Sequence, residues 1–239
     1  MHEIYNTIVT AKAENKKLLA VLLDPDKLSV HTIKQLAEKI TNSPATHVFV
    51  GGSIVENNQT ETIIVALKKY CPLPIIIFPG NVNQVTDSAD AILLLSLLSG
   101  NNPEYLIGQH VKAAPLLHKS SLEIIPTGYI LIDGGTETAV QRVSNTTPIA
   151  NDNVSLAVNT ALAGVYTGKK LIYLEAGSGA KNTVPTNLIS SVANTINIPL
   201  IVGGGIRSGK QLNQAYDAGA TLVVIGTAFE NDSDFFKNL

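Results

Sequence analysis

Short apolar runs recur along this chain, and most stop abruptly at a glycine or a carboxylate. Leu18 to Leu23 ends before Asp24, His47 to Val50 before Gly51, and Lys170 to Glu175 before Ala176-Gly177. Pro199 to Val202 runs into Gly203-Gly204-Gly205, and Ala220 to Ile225 stops at Gly226. Runs that are apolar at nearly every position suit strands buried on both faces, which is the condition of a parallel sheet covered by helices. Three more runs, Pro74 to Phe78, Ala91 to Leu95 and Glu123 to Ile132, bring the number of candidate strands to eight. Pro126 and Gly128 are expected to interrupt the last of these.

Helical spacing fills most of the intervals. An opening helix covers roughly Ile4 to Glu14. Ile33, Leu36, Ala37 and Ile40 follow Ser29 as a candidate cap, and Thr60 to Lys69 is amphipathic. Pro103 to His118, Val154 to Thr167, Pro185 to Thr195 and Ser208 to Ala218 complete the set. The third interval, Asn81 to Asp90, is too polar for a long helix, and Asp133 to Asn153 is a long polar stretch without periodicity. Eight alternating β and α units in 239 residues, with no linker, predict one domain over residues 1–239: an α/β chain closed as a (β/α)8 TIM barrel with an irregular third βα unit. An open doubly wound sheet is the alternative closure.

Composition narrows the function. Charged residues make up only 15% of the chain and the formal net charge is −2, so no basic stripe offers a footprint for nucleic acid. The lone Cys71, before Pro72-Leu73-Pro74, excludes an intramolecular disulfide. No run approaches the ~18 apolar residues of a membrane span, and the N-terminus lacks a signal-peptide core, so a cytoplasmic location is expected.

In a barrel every strand's C-terminal end faces one mouth, so Asp24, Ser53, Glu175, Gly204 and Gly226 should converge although they are far apart in sequence. The glycine-rich turns after strands six, seven and eight, Gly177-Ser178-Gly179, Gly203-Gly204-Gly205 and Gly226-Thr227, let backbone N–H groups approach a phosphate. Asp24 stands where a divalent cation would bridge to a diphosphate, and Ser53 could offer a hydroxyl to the same ion. Asp26 and Lys27 read as solvated loop or helix-start residues, and the five histidines form no ligand cluster. Alternation along a strand puts Tyr173 and Glu175 on one face beside the phosphate turn, which makes Glu175 a candidate base or a hydrogen-bonding partner of the substrate. No nucleophile elbow or Walker loop is present.

Asp24-Pro25-Asp26-Lys27, Val50-Gly51-Gly52-Ser53, the run YLEAGSG at 173–179, VGGGIRS at 202–208 and Ile225-Gly226-Thr227 together resemble the geranylgeranylglyceryl phosphate synthase family and its heptaprenyl relatives. The resemblance spans nearly the whole chain. It implies a Mg2+-dependent prenyltransferase that joins sn-glycerol 1-phosphate to a polyprenyl diphosphate, geranylgeranyl diphosphate foremost, in ether-lipid biosynthesis. It also implies a homo-oligomer with an apolar groove for the prenyl tail, and transient membrane contact for the lipid product. Residue by residue, it places Mg2+ on Asp24 and Ser53. The acceptor cradle is placed on Tyr173, Leu174, Glu175, Ala176, Gly177, Ser178, Gly179, Gly204, Gly205, Gly226 and Thr227, with Glu175 and Tyr173 as catalytic residues. Many family members carry Gly-Asn where this chain has Gly226-Thr227. A sugar-phosphate isomerase or synthase of the phosphate-binding barrels, and a non-catalytic phosphate-binding module, are the other readings.

Overall fold

The computed structural model describes residues 3–52, 55, 59–232 and 235–238. Eight strands, β1 (Leu18–Leu23), β2 (His47–Val50), β3 (Ile75–Ile77), β4 (Ala91–Leu97), β5 (Glu123–Leu131), β6 (Leu171–Glu175), β7 (Leu200–Gly203) and β8 (Leu222–Ile225), pair in parallel in sequence order. The last pairs back to the first, from Leu18 opposite Leu222 to Val21 opposite Ile225, so the barrel is closed and the open-sheet alternative falls. Alternation divides each strand between two cores: Ala20, Phe49, Leu93, Tyr173 and Val224 fill the barrel, while Val21, Val48, Ile172, Leu174 and Val223 pack beneath the helices. Both layers are apolar clusters of buried side chains, which explains why the strands are apolar at nearly every position.

The helices among the described residues are α1 (Glu3–Ala13), α2 (Ile33–Thr41), α3 (Gln59–Lys68), α4 (Gln109–Leu117), α5 (Ala139–Ser144), α6 (Val154–Tyr166), α7 (Thr186–Thr195), α8 (Gly209–Asp217) and α9 (Thr227–Asn231). The first of them closes the end of the barrel opposite the mouth. The backbone N–H groups of Ile4 and Tyr5 donate to the Glu123 carboxylate at 2.9 and 2.8 Å, an anion at a helix N-terminus, and Ile8 is buried in the interior core. Ser208 caps α8 through its hydroxyl, as expected.

Several sequence expectations are corrected. Ser29 does not cap α2: the helix begins after Thr32, and Ser29 forms the preceding turn, its carbonyl accepting from Thr32 N–H at 3.0 Å. Pro126 and Gly128 do not interrupt β5, which is continuous. The carbonyl of Pro126 accepts from Lys170 N–H at 2.7 Å, while its missing N–H falls ahead of the first residue of β6 and leaves no ladder bond unmade. The segment predicted as one helix over Pro103–His118 opens with a π-helical turn, Glu104–Gly108, before α4. The polar stretch 133–153 is not structureless. It contains α5 and rejoins the barrel edge through a bridge between Ile132 and Ile149. The third unit is irregular as expected, with only a 3-10 turn, Val82–Gln84, between β3 and β4.

Candidate active site

The C-terminal ends of the strands open on a cavity of about 430 Å3 whose wall includes Asp24, Tyr173, Glu175, Gly204 and Gly226. Four strands, β1, β6, β7 and β8, and their following turns therefore meet here, and four of the five residues expected to converge line it; the fifth, Ser53, lies outside the described residues. Glu175 ends β6 with its side chain turned inward, 6% exposed, and its Oε1 accepts the Gly177 N–H at 2.6 Å. Burial pushes the carboxyl above its ordinary value, while the neighbouring Tyr173 hydroxyl and the Gly177 N–H act in the opposite direction. A carboxylate of raised basicity facing a cavity is suited to accept a proton.

Tyr173, two residues earlier on the same face, is fully buried, and its hydroxyl makes no hydrogen bond of proper geometry. Burial first, and the Glu175 charge second, hold that phenol well above its ordinary value, so it stays protonated. Its ring belongs to an aromatic group with centroids 5.5 Å from Phe78 and 5.4 Å from Tyr129. Phe78 and Tyr129 were not singled out from the sequence. The detectable signal was alternation: Tyr129 is two residues from the inward-facing Leu131 on β5, and Phe78 closes the run Ile75–Ile77.

The glycine turns close on one another at Gly204. Its φ of +87° is left-handed, and a Cβ there would lie 2.4 Å from Glu175 Oε1 and 2.6 Å from Gly177 N, so only glycine lets the β7 turn meet the β6 turn. Gly205 follows in the same left-handed region, φ +71°. Ser178 and Thr227 link the β6 and β8 turns hydroxyl to hydroxyl at 3.2 Å, and Arg207 fixes the β6 loop by donating to the Ala180 and Gly179 carbonyls at 2.7 and 3.3 Å. Leu174 and Ala176 face the helix layer, so any contact they make with a ligand in the cavity is through the backbone. The Gly177 N–H, one of the expected phosphate donors, is engaged by Glu175.

Asp24 lines the same cavity at the end of β1, the strand that pairs with β8. It caps the 3-10 turn Pro25–Lys27 by accepting the Asp26 N–H at 3.2 Å, and its other oxygen lies 3.4 Å from Lys27 Nζ. A lysine ammonium already rests against this carboxylate, so the position tolerates a cation. Among the described residues no three His, Cys, Asp or Glu side chains converge as a metal-binding group.

A second, apolar pocket adjoins the cavity and shares Gly52, Phe78, Tyr129 and Val140 with it. It runs down the side of the barrel where the third unit lacks a helix, between Pro79, Val82 and Val85 on one wall and Leu94, Tyr105 and Ala113 on the other. His110 also lines it, its Nε2 2.7 Å from the Leu95 carbonyl oxygen. The polar chamber thus continues into an apolar groove at the aromatic group.

Comparison with known proteins agrees with this geometry. The PcrB family model matches residues 11–238. Geranylgeranylglyceryl phosphate synthase of Flavobacterium johnsoniae is 57% identical over 98% of this chain and 97% of its own length, and that of Zunongwangia profunda is 55% identical over 97% and 98%. Among solved structures, the (S)-3-O-geranylgeranylglyceryl phosphate synthase of Thermoplasma acidophilum, in complex with its substrate sn-glycerol-1-phosphate, superposes with a TM-score of 0.92 at 33% identity, covering 98% of this chain and 94% of the other.

Proposed function

The chain belongs to the PcrB family, and from that membership we propose that it joins sn-glycerol 1-phosphate to geranylgeranyl diphosphate, giving 3-O-geranylgeranyl-sn-glyceryl 1-phosphate and diphosphate. The observation that carries the reading is the position of Glu175, a buried carboxylate of raised basicity between a glycine-built polar chamber and an apolar groove. The acceptor phosphate is held by backbone N–H groups at Ser178, Gly179, Gly204, Gly205, Gly226 and Thr227, and the prenyl tail lies in the groove. Polar and apolar substrates meet where Phe78, Tyr129 and Tyr173 surround the boundary.

The bond between the prenyl C1 and the diphosphate oxygen breaks, and the electron pair leaves with diphosphate. The three aromatic rings present electron-rich faces to the allylic cation, and burial excludes water that would otherwise quench it. The free C3 hydroxyl of the glycerol unit attacks C1, forming the ether, and its proton passes to Glu175. Asp24 is the residue that would hold Mg2+, together with Ser53, and the ion would supply positive charge to the leaving diphosphate.

No helix among the described residues is long and apolar enough to cross a membrane. We place the enzyme in the cytoplasm, with transient membrane contact to release its lipid product. The exposed Ile107 and Val111, adjacent on the outer wall at one helical turn, support a homo-oligomer, which sedimentation would test.

Transfer of label from glycerol 1-phosphate into butanol-extractable lipid tests the reaction, with donors from geranyl to heptaprenyl diphosphate in parallel. Label should enter lipid best with the geranylgeranyl donor and only with Mg2+ present. A chain that binds glycerol phosphate but transfers no label from any donor is a phosphate-binding module instead.

A further inference from the structure

Three cations among the described residues line the cavity, and two of them are committed elsewhere. Arg207 is bonded to the carbonyls of the β6 loop, and Arg142 on α5 pairs with Glu137 at 3.3 Å. The third, Lys27, is held on the Asp24 side by a residue that no motif indicates. Glu230 Oε2 lies 2.9 Å from Lys27 Nζ, closer than Asp24 Oδ2 at 3.4 Å, and Glu230 Oε1 accepts the Asp24 backbone N–H at 3.3 Å. The Glu230 side chain is only 15% exposed, whereas that of Lys27 is 56% exposed and lines the cavity. One carboxylate therefore ties α9, which begins at the Gly226-Thr227 turn, to the end of β1, and spends its second oxygen on Lys27.

We propose that Lys27 is a direct ligand of the donor's diphosphate, and that Glu230 is the positioning residue that draws its ammonium off Asp24 and aims it into the cavity. This rests on the prenyl-transfer reading above. An ammonium has three donors; Glu230 takes one at 2.9 Å and Asp24 lies at 3.4 Å, which leaves donor capacity for a ligand in the cavity that Lys27 lines. Asp24 alone could not perform both tasks. A lysine pressed onto it would compete with the cation the same carboxylate is placed to hold, and the longer Asp24 contact is the consequence of Glu230 taking the stronger one. The arrangement also couples the two substrate sites, because Glu230 lies on the short helix that follows the acceptor's phosphate turn.

The test is calorimetric binding of geranylgeranyl thiolodiphosphate, an unreactive donor analogue, with Mg2+ at fixed ionic strength, alongside binding of glycerol 1-phosphate alone. Lys27→Gln should weaken the analogue about tenfold or more, as expected for a lost charge-assisted contact, and leave glycerol phosphate affinity unchanged. Lys27→Arg should retain most of the affinity. Glu230→Gln should weaken the analogue in the wild-type background and have no further effect beside Lys27→Gln, with melting curves confirming that each variant is folded. Unchanged analogue binding by Lys27→Gln, parallel loss of both ligands, or additive effects of the two substitutions would each overturn the assignment. A wild-type chain that binds glycerol phosphate but not the analogue would overturn the donor reading itself, and this inference with it.

Discussion

At the scale of single residues, the site depends on one buried acid and on one glycine that gives it room. Glu175→Gln preserves size and most hydrogen bonding, so it should lower kcat by about 10²–10⁴-fold with little change in acceptor KM. Because burial raises the Glu175 pKa above its ordinary 4.5, the folded chain holds that proton more tightly than the unfolded one. Stability is therefore lost as pH rises from 4.5 through the folded value, and the ionised carboxylate is a net cost at neutral pH. Two outcomes follow together: kcat should climb with an inflection above pH 4.5, and Glu175→Gln should melt higher than wild type at pH 7 while nearly inactive. Gly204→Ala should raise acceptor KM strongly, since its Cβ would strike backbone N atoms that cannot withdraw. Gly168→Ala is the control: φ is +83° but nothing lies within 4 Å, so the cost should be only the ~1–2 kcal/mol of a left-handed alanine, with KM unchanged. Asp24→Asn should cut turnover severely and leave acceptor binding intact, whereas Asp26→Asn, exposed within the Pro25–Lys27 turn, should be mild.

At the scale of elements, α5 shows why a functional segment can escape periodicity. Six residues make fewer than two turns, too short for a repeating apolar stripe to register. The readable signal was its start: Thr138 accepts the Gln141 N–H at 3.2 Å and the Gln141 side chain accepts the Thr138 N–H at 2.6 Å, a reciprocal cap written as Thr-x-x-Gln. The methyl of Thr138 also lies against Gly177, so the start of α5 covers the turn after β6. Thr138→Ala should destabilise α5 by about 1 kcal/mol, seen as faster hydrogen exchange at 139–144, and should raise acceptor KM more than it lowers kcat. Equal exchange in mutant and wild type would count against α5 as the cover.

For the whole molecule, acid sensitivity is set away from the site. His47 begins β2 at 2% exposure, its Nδ1 2.8 Å from Thr46 Oγ1, and burial lowers its pKa from 6.5 to about 4. The unfolded chain takes up a proton at 6.5 that the folded chain refuses until about 4, so stability falls as pH drops through that window, by about 3 kcal/mol in all. Thermal melts across pH 7 to 4 should show this loss, and His47→Gln should flatten the curve. The architecture itself was legible in the order of the residues. Apolar strands, helical spacing and glycine-ended turns are local patterns, and eight of them in succession leave few closures other than a barrel, whose mouth then gathers Asp24, Glu175, Gly204 and Gly226. What the sequence could not decide were contacts between residues distant along the chain: Glu230 on Lys27, Phe78 and Tyr129 around Tyr173, and Thr138 on Gly177. Glu230 is 203 residues from Lys27, and no local preference of either reports the other, because their meeting is created by β8 pairing back on β1.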